Sequence, residues 1–424
     1  MDGFLISISI LAFLMSFSIG ANDAANALAT SYGSNALRLL YLVILGSIFE
    51  FIGAFFCSGH VAGALVGNII ENVDTLDDHL VEQMMLATSI AGFLFIICSS
   101  VFGMPISGTH TVVGALIGSG LATVGSENIN WRKLGMIAAS WVVAPLVSIV
   151  LAAIFFILVC MLTLDKSRFE FSKRLLFLTA FTSVAFLIIA VMFVKLVQDK
   201  GDDMTGGAIA FLTISPILGV FITRLVILLL LKPVHIGYSR GAIVLLKFWN
   251  GEDFVELYNE KKAQTLTVNL EDETQGLLSK KEDDGEEKII FELYRWLMLV
   301  AAMTVCLGHG ANDVANSISP LLTVMTVEGN NSSAAYLIGS AGIAFGLLVL
   351  GYKVMETVGK NVVKLDFARG FTAQFATAIS VNVGSIIGLP LSSTHCMVGS
   401  LMGLMVALKL SDSVKKVYPP EEEN

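Results

Sequence analysis

Apolar residues run in long stretches, at about 4–19, 39–57, 83–103, 104–124, 135–163, 175–198, 206–231, 291–307, 333–352, 371–388 and 389–408. Runs of this length span a bilayer core as helices. Only helices or closed barrels satisfy their own backbone in lipid, and runs this long mean helices. The pattern predicts an all-α polytopic membrane protein. The polar connections orient it. Asp165-Lys166-Ser167-Arg168 with Lys173-Arg174 is basic and reads as cytoplasmic, as does the segment opening with Lys232, Arg240 and Lys247. Asp74–Glu82 and Asp199–Asp203 are mostly acidic and fit the outside. The span at 4–19 then runs out to in, and the span at 291–307 runs in to out.

Residues 250–290 differ in kind, with Glu271-Asp272-Glu273 and Lys280-Lys281-Glu282-Asp283-Asp284, and read as a mobile linker. Composition agrees with the membrane reading. Of the 424 residues 55% are hydrophobic and 14% charged, against about 25% charged in soluble domains. A soluble enzyme, a disordered chain and a secreted disulfide scaffold are excluded on these grounds. Net charge is −9, with no clustered basic face for nucleic acid. Cys57, Cys98, Cys160, Cys306 and Cys396 form no CxxC pair, so neither disulfides nor zinc are implied. Met1-Asp2-Gly3 carries no basic region, and Phe4–Ile19 reads as a retained span.

Two polar motifs recur in the same order. Gly20-Ala21-Asn22-Asp23-Ala24-Ala25-Asn26 returns as Gly310-Ala311-Asn312-Asp313-Val314-Ala315-Asn316. Pro105-Ile106-Ser107-Gly108-Thr109-His110 returns as Pro390-Leu391-Ser392-Ser393-Thr394-His395, and Gly114 and Gly118 as Gly399 and Gly403. With the opposed polarity of the two halves, this is an inverted-topology repeat, an architecture of secondary transporters with the site at the midplane. The chain divides into a first repeat at 1–130, additional helices at 131–231, a cytoplasmic loop at 232–290, a second repeat at 291–410 and a polar tail at 411–424.

In the first motif, Gly20 and Gly310 follow apolar runs, where glycine terminates helices. Broken helices with re-entrant segments are expected there, exposing the carbonyls of Ala21 and Ala311. With Asp23, Asn26, Asp313 and Asn316 they form an all-oxygen set suited to a hard cation such as sodium. An intramembrane carboxylate is costly and functional by default. In the second motif, Pro105 and Pro390 suit the first turn of a helix. The free amides there, with Ser107, Gly108, Thr109, Ser392, Ser393 and Thr394, make a cradle for phosphate or a carboxylate. Asn22 and Asn312 are assigned to the same anion. Gly114, Gly118, Gly399 and Gly403 read as ordinary helix packing.

The windows 20–34, 104–123, 308–327 and 389–408 contain no Lys or Arg. An anion there meets two carboxylates, and like charges in low dielectric repel by several kcal/mol. Co-transported sodium ions are therefore expected to create the anion site. His110 and His395 have three readings: binding, proton shuttling, or hydrogen bonding to a neighbouring helix. Glu50 reads as a cation ligand at one remove or as a structural partner, and Gln374 as pocket-facing or as interhelical glue. Arg224 snorkels. Gln83, Thr88 and Ser89 add polar lining, and Trp131, Trp141 and Trp296 are interface anchors.

At these residues the sequence resembles the PiT family of inorganic phosphate transporters, over nearly the whole chain. The resemblance implies no enzyme but a homodimeric symporter of the cell membrane, moving phosphate with sodium or, in some members, protons. It also implies an extracellular N-terminus and usually about twelve spans. Eleven apolar runs and Lys409, Lys415 and Lys416 favour a cytoplasmic C-terminus. The family commonly carries Glu where this chain has Gln374. Other readings are the same fold driven by protons, a carrier of another oxyanion such as sulfate, an anion channel, or a membrane aspartyl protease sharing a proton between two carboxylates. No P-loop is present.

Overall fold

The computed structural model describes residues 3–58, 65, 69–71, 73–199, 205–231, 275–361 and 365–419. Lys232, Arg240, Lys247, the linker up to 274, the acidic turn at 200–203 and the end of the tail lie outside the described residues. Long helices carry the fold: α1 (Gly3–Gly33), α2 (Leu39–Cys57), α3 (Asp78–Val101), α4 (Gly108–Thr123), α5 (Trp131–Val159), α6 (Phe171–Asp199) and α7 (Thr205–Leu231). They continue with α8 (Gln275–Val327), α9 (Ser333–Asn361), α10 (Phe367–Ile386), α11 (Ser393–Leu410) and the short α12 (Asp412–Val417). Eight of the described helices are long and apolar enough to cross a membrane. The chain is an all-α multi-pass membrane protein. Helix α8 begins at Gln275, inside the segment read from sequence as linker.

One expectation is overturned. Helices α1 and α8 run unbroken through Gly20–Asn26 and Gly310–Asn316. Their glycines serve close packing between the repeats. A Cβ on Gly20 would fall 2.0 Å from the Ile343 carbonyl oxygen of α9, and one on Gly310 would fall 2.2 Å from the Glu50 oxygen of α2. The contacts are reciprocal, since a Cβ on Gly346 of α9 would meet Phe17 O at 1.9 Å and one on Gly53 of α2 would meet Leu307 O at 2.0 Å. Each repeat's motif helix therefore packs on the other repeat's second helix. Glycine costs about 0.5–1 kcal/mol inside a helix; the backbone contact it permits is what that cost supports.

The helices break at the second motif instead. Gly103 and Gly388 adopt φ of 68° and 71°, a left-handed conformation that only glycine takes readily. Met104 N donates to Ser99 O and Leu389 N to Gly384 O, closing α3 and α10 in the same way. Helix starts differ from the proline expectation too. Ser107 and Ser392 are the N-caps, each accepting from the amide three residues on, and Pro105 and Pro390 lie ahead of the helix. A capping hydroxyl satisfies an orphan amide, which proline does not. Two hairpins result, α3–α4 and α10–α11.

The C-terminus is placed by contacts. Lys416 Nζ lies 2.9 Å from Asp165 Oδ2 and Arg168 donates to Ser413 Oγ, so α12 shares the side of the basic loop, which its charge pattern reads as cytoplasmic. Burial pushes the Asp165 carboxyl up, but hydrogen bonds from Ser167 and Lys416 outweigh it and hold it at about 2. Gly399 and Gly403 seat α11 on Pro145 and Ile149 of α5, whereas nothing lies within 4 Å of a Cβ on Gly114 or Gly118.

Candidate functional site between two hairpin tips

The unbroken motif helices bring Asp23 and Asp313 to the centre, each 1% exposed. Both hairpin tips reach them. Thr394 Oγ1 of the second repeat lies 3.3 Å from Asp23 Oδ1, and Thr109 Oγ1 of the first lies 3.4 Å from Asp313 Oδ1 while donating to Leu391 O of the opposite hairpin at 2.8 Å. Asn26 Nδ2 donates to Asp23 at 2.7 Å and to Thr394 at 2.8 Å; Asn316 Nδ2 donates to Asp313 and to Thr109, both at 3.0 Å. The inverted repeat thus becomes a crossed pair of Asp–Asn–Thr clusters. Asp and Asn share a helix face because they stand three residues apart.

The clusters are not identical. Ser393 Oγ donates to Asp313 Oδ2 at 3.1 Å. Its counterpart is Gly108, where a Cβ would come within 3.3 Å of Asp23 Oδ2. That open side faces a residue the sequence reading missed. His309 is fully buried, with Nδ1 2.7 Å from Glu50 Oε1 and Nε2 3.0 Å from Asp313 Oδ2 and 3.4 Å from Asp23 Oδ2. Its counterpart in the first repeat is Ile19, so the repeat argument passed over it. The signal was a histidine one position ahead of an intramembrane motif. One donor atom each from Asp23, His309 and Asp313 lie within 4.8 Å of one another. Glu50, itself fully buried, is thereby tied to the centre through the imidazole.

Asn22 and Asn312 have a different occupation. Asn22 Nδ2 donates to Met104 O at 2.9 Å and its Oδ1 accepts from Ile106 N at 2.9 Å; Asn312 Nδ2 donates to Leu391 O at 2.8 Å. Both amides clamp the extended backbone of a hairpin linker. The Ala21 and Ala311 carbonyls lie inside continuous helix, where a carbonyl faces the amide four residues on. His110 and His395 each lie close to their own N-cap serine, Ser107 Oγ to His110 Nδ1 at 2.6 Å and Ser392 Oγ to His395 Nδ1 at 2.5 Å. Their rings stack at 4.8 Å between centroids, which joins the two tips. Trp141 covers His110 at 3.7 Å, so it packs on the hairpin tip and is no interface anchor. Gln374 donates to Ala27 O at 2.7 Å and Thr30 Oγ1 at 2.6 Å, fastening α10 to α1. Thr88 binds Ser119 between α3 and α4, and Gln83 is exposed beside His79; neither joins this centre.

A cavity of about 130 Å³ adjoins the first cluster, lined by Asn26, Thr30, Thr394 and Pro105 and by Leu365 and Leu401. It is far smaller than the roughly 300–1,000 Å³ of drug-sized sites and suits a small solute. In the second cluster Asn316 and Thr109 are sealed, 0% and 1% exposed, whereas Thr394 is half-buried.

Comparison with known proteins bears on this geometry. The model of the phosphate transporter family matches residues 19–417. A "Putative phosphate permease" of Haemophilus influenzae is 31% identical over 410 residues, covering 93% of this chain and 86% of the relative. One of Pyrococcus furiosus is 29% identical over 416 residues, covering 96% and 88%. A solved structure described as the sodium-dependent phosphate transporter aligns with a TM-score of 0.77 at 27% identity, covering 98% of this chain and 93% of that one. The chain belongs to the phosphate transporter family.

Proposed function

We propose that the protein is a secondary transporter that moves inorganic phosphate together with sodium by alternating access. The observation that carries this reading is the crossed pair of Asp–Asn–Thr clusters at the point where two helix N-termini meet. The positive ends of α4 and α11 and the hydroxyls of Ser107, Thr109, Ser392, Ser393 and Thr394 suit a phosphate. Asp23, Asn26, Asp313 and Asn316 suit sodium, with Ala21 and Ala311 contributing where local helix opening frees their carbonyls. Asn22 and Asn312 act on the anion by holding the linkers that shape its cradle.

Several buried polar atoms fit cation binding. Asn316 Oδ1 and Glu50 Oε2 are buried without a hydrogen-bond partner, a state that costs free energy unless something is bound. A phosphate beside two carboxylates is repelled until cations neutralise them. Sodium binding therefore precedes or accompanies phosphate, and partly loaded forms do not cross. The cavity at the first cluster, set against the sealed second cluster, supports one end of an access cycle. A homodimer is the expected assembly.

The test is labelled phosphate uptake into proteoliposomes under an inward sodium gradient, an inward proton gradient, and neither. Sodium-dependent uptake blocked by excess cold phosphate but not by sulfate is the expected result. Uptake driven by protons alone would refute sodium coupling and favour the second reading, for which the His309–Glu50 contact at 2.7 Å speaks. Flux without accumulation under any gradient would mark a channel.

A further inference from the structure

Away from the transport centre, a cavity of about 790 Å³ opens at the C-terminal end of α11, the end that the charge pattern reads as cytoplasmic, between the first turn of α10 and the C-terminal segment. Arg369, Lys409 and Lys415 line it together with Met405, Leu408 and Tyr418, and among the described residues no Asp or Glu lines it. Arg369 is held in place by Asp366 at 3.1 Å and lies over the Tyr418 ring at 5.0 Å. Lys415 reaches Asp412 at 3.4 Å, but the Asp412 side chain is 100% exposed, so water screens that pair. Lys409 is exposed in the last turn of α11. The charged face passes directly into an apolar one. Met402, Met405, Val406 and Leu410 of α11 are 54%, 48%, 39% and 77% exposed, on a helix long and apolar enough to cross a membrane.

Three basic side chains at the foot of α11, next to an exposed apolar wall, match one kind of ligand. We propose that this cavity binds the headgroup of an anionic phospholipid of the cytoplasmic leaflet, whose acyl chains lie along the exposed side of α11. Basic pockets between helices on the cytoplasmic side recognise such headgroups by charge, and the negative leaflet supplies them at high local concentration. A free phosphate shares the headgroup's charge but makes no use of the apolar wall. The bound lipid bridges the feet of α10 and α11, the two arms of the hairpin that carries Ser393 and Thr394. It therefore touches the feet of that hairpin and makes no contact with the anion cradle at its tip.

The test uses the full chain purified in detergent and native mass spectrometry with phosphatidylglycerol or phosphatidylcholine of matched chains. Wild type is expected to retain phosphatidylglycerol in preference to phosphatidylcholine. K409Q/K415Q is expected to retain phosphatidylglycerol roughly ten- to thirtyfold less, from about 1 kcal/mol per lysine, with phosphatidylcholine unchanged and K409R/K415R restoring it. Where the double variant does not fold, K409Q alone, on an exposed side chain, gives the same comparison. Equal retention of both lipids by wild type, or undiminished phosphatidylglycerol in the variant, overturns the proposal. Displacement of the lipid by millimolar inorganic phosphate also overturns it, assigning the cavity to a free anion.

Discussion

Replacing Asp313 by Asn removes one charge while keeping the side chain's shape. Asp313 Oδ1 accepts from Asn312 at 3.1 Å and from Asn316 at 3.0 Å, and Oδ2 accepts from Ser393 at 3.1 Å. A unit charge about 4 Å from a cation is worth about 4 kcal/mol at an effective dielectric near 20. Much of that offsets desolvation, and charge-assisted contacts retain about 1.5–3 kcal/mol net. Sodium affinity should therefore fall roughly ten- to hundredfold in Asp313→Asn, at about 1.4 kcal/mol per tenfold. The assay is the initial rate of labelled phosphate uptake against external sodium, on protein shown by elution and circular dichroism to be folded. Where uptake is abolished, sodium-dependent thermal stabilisation reads the same site. It should be present in wild type and absent, or shifted to much higher sodium, in the variant. A half-saturating sodium concentration within twofold of wild type would refute the assignment of Asp313 to the cation.

Other predictions follow from single contacts. Gly310→Ala must push its Cβ against Glu50 O at 2.2 Å, so it should destabilise by about 1–3 kcal/mol, whereas Gly114→Ala, facing open space, should gain a few tenths to about 1 kcal/mol; thermal unfolding in detergent compares the two. The Asp165 carboxyl is held at about 2, below its ordinary 3.8. The ionised form therefore stabilises its contacts with Ser167 and Lys416 above the ordinary value, and this stabilisation is lost as pH falls from about 4 through 2. Proteolysis at α12 should rise over that window in wild type and be high and flat in Asp165→Asn. Gln374→Glu would set a carboxylate where an amide donates to Ala27 O at 2.7 Å; only its protonated form keeps that bond. Uptake by this variant should fall as pH rises, with wild type showing no such slope from this position. His309→Leu leaves Glu50 Oε1 without its 2.7 Å partner and should alter the sodium dependence of uptake more than its phosphate affinity; an unchanged sodium curve would remove His309 from the cation centre.

The hydrophobic runs, the two motif pairs and the opposed polarity of the halves were legible in the sequence alone. Each is a local or a periodic property. Bilayer length decides that a run is a span, and two motifs recurring in the same order at nearly the same offset reveal the repeat. Asp23, Asp313, Thr109 and Thr394 could be picked out because polar groups at membrane depth are too costly to be idle. What the motif glycines do could not be read in the same way. A glycine within an apolar run signals equally a helix end or a close helix contact. Only the backbone of Ile343 against Gly20, and of Glu50 against Gly310, decides for contact. The breaks at Gly103 and Gly388 likewise required a backbone conformation. The crossing of the repeats, with Asp23 meeting Thr394 and Asp313 meeting Thr109, brings together residues hundreds of positions apart, and no spacing rule reports that. His309 shows the same limit most sharply. Its first-repeat counterpart is Ile19, so symmetry argued against it. Its role arises because packing buries it among Asp23 of α1, Glu50 of α2 and Asp313 one turn on in its own helix.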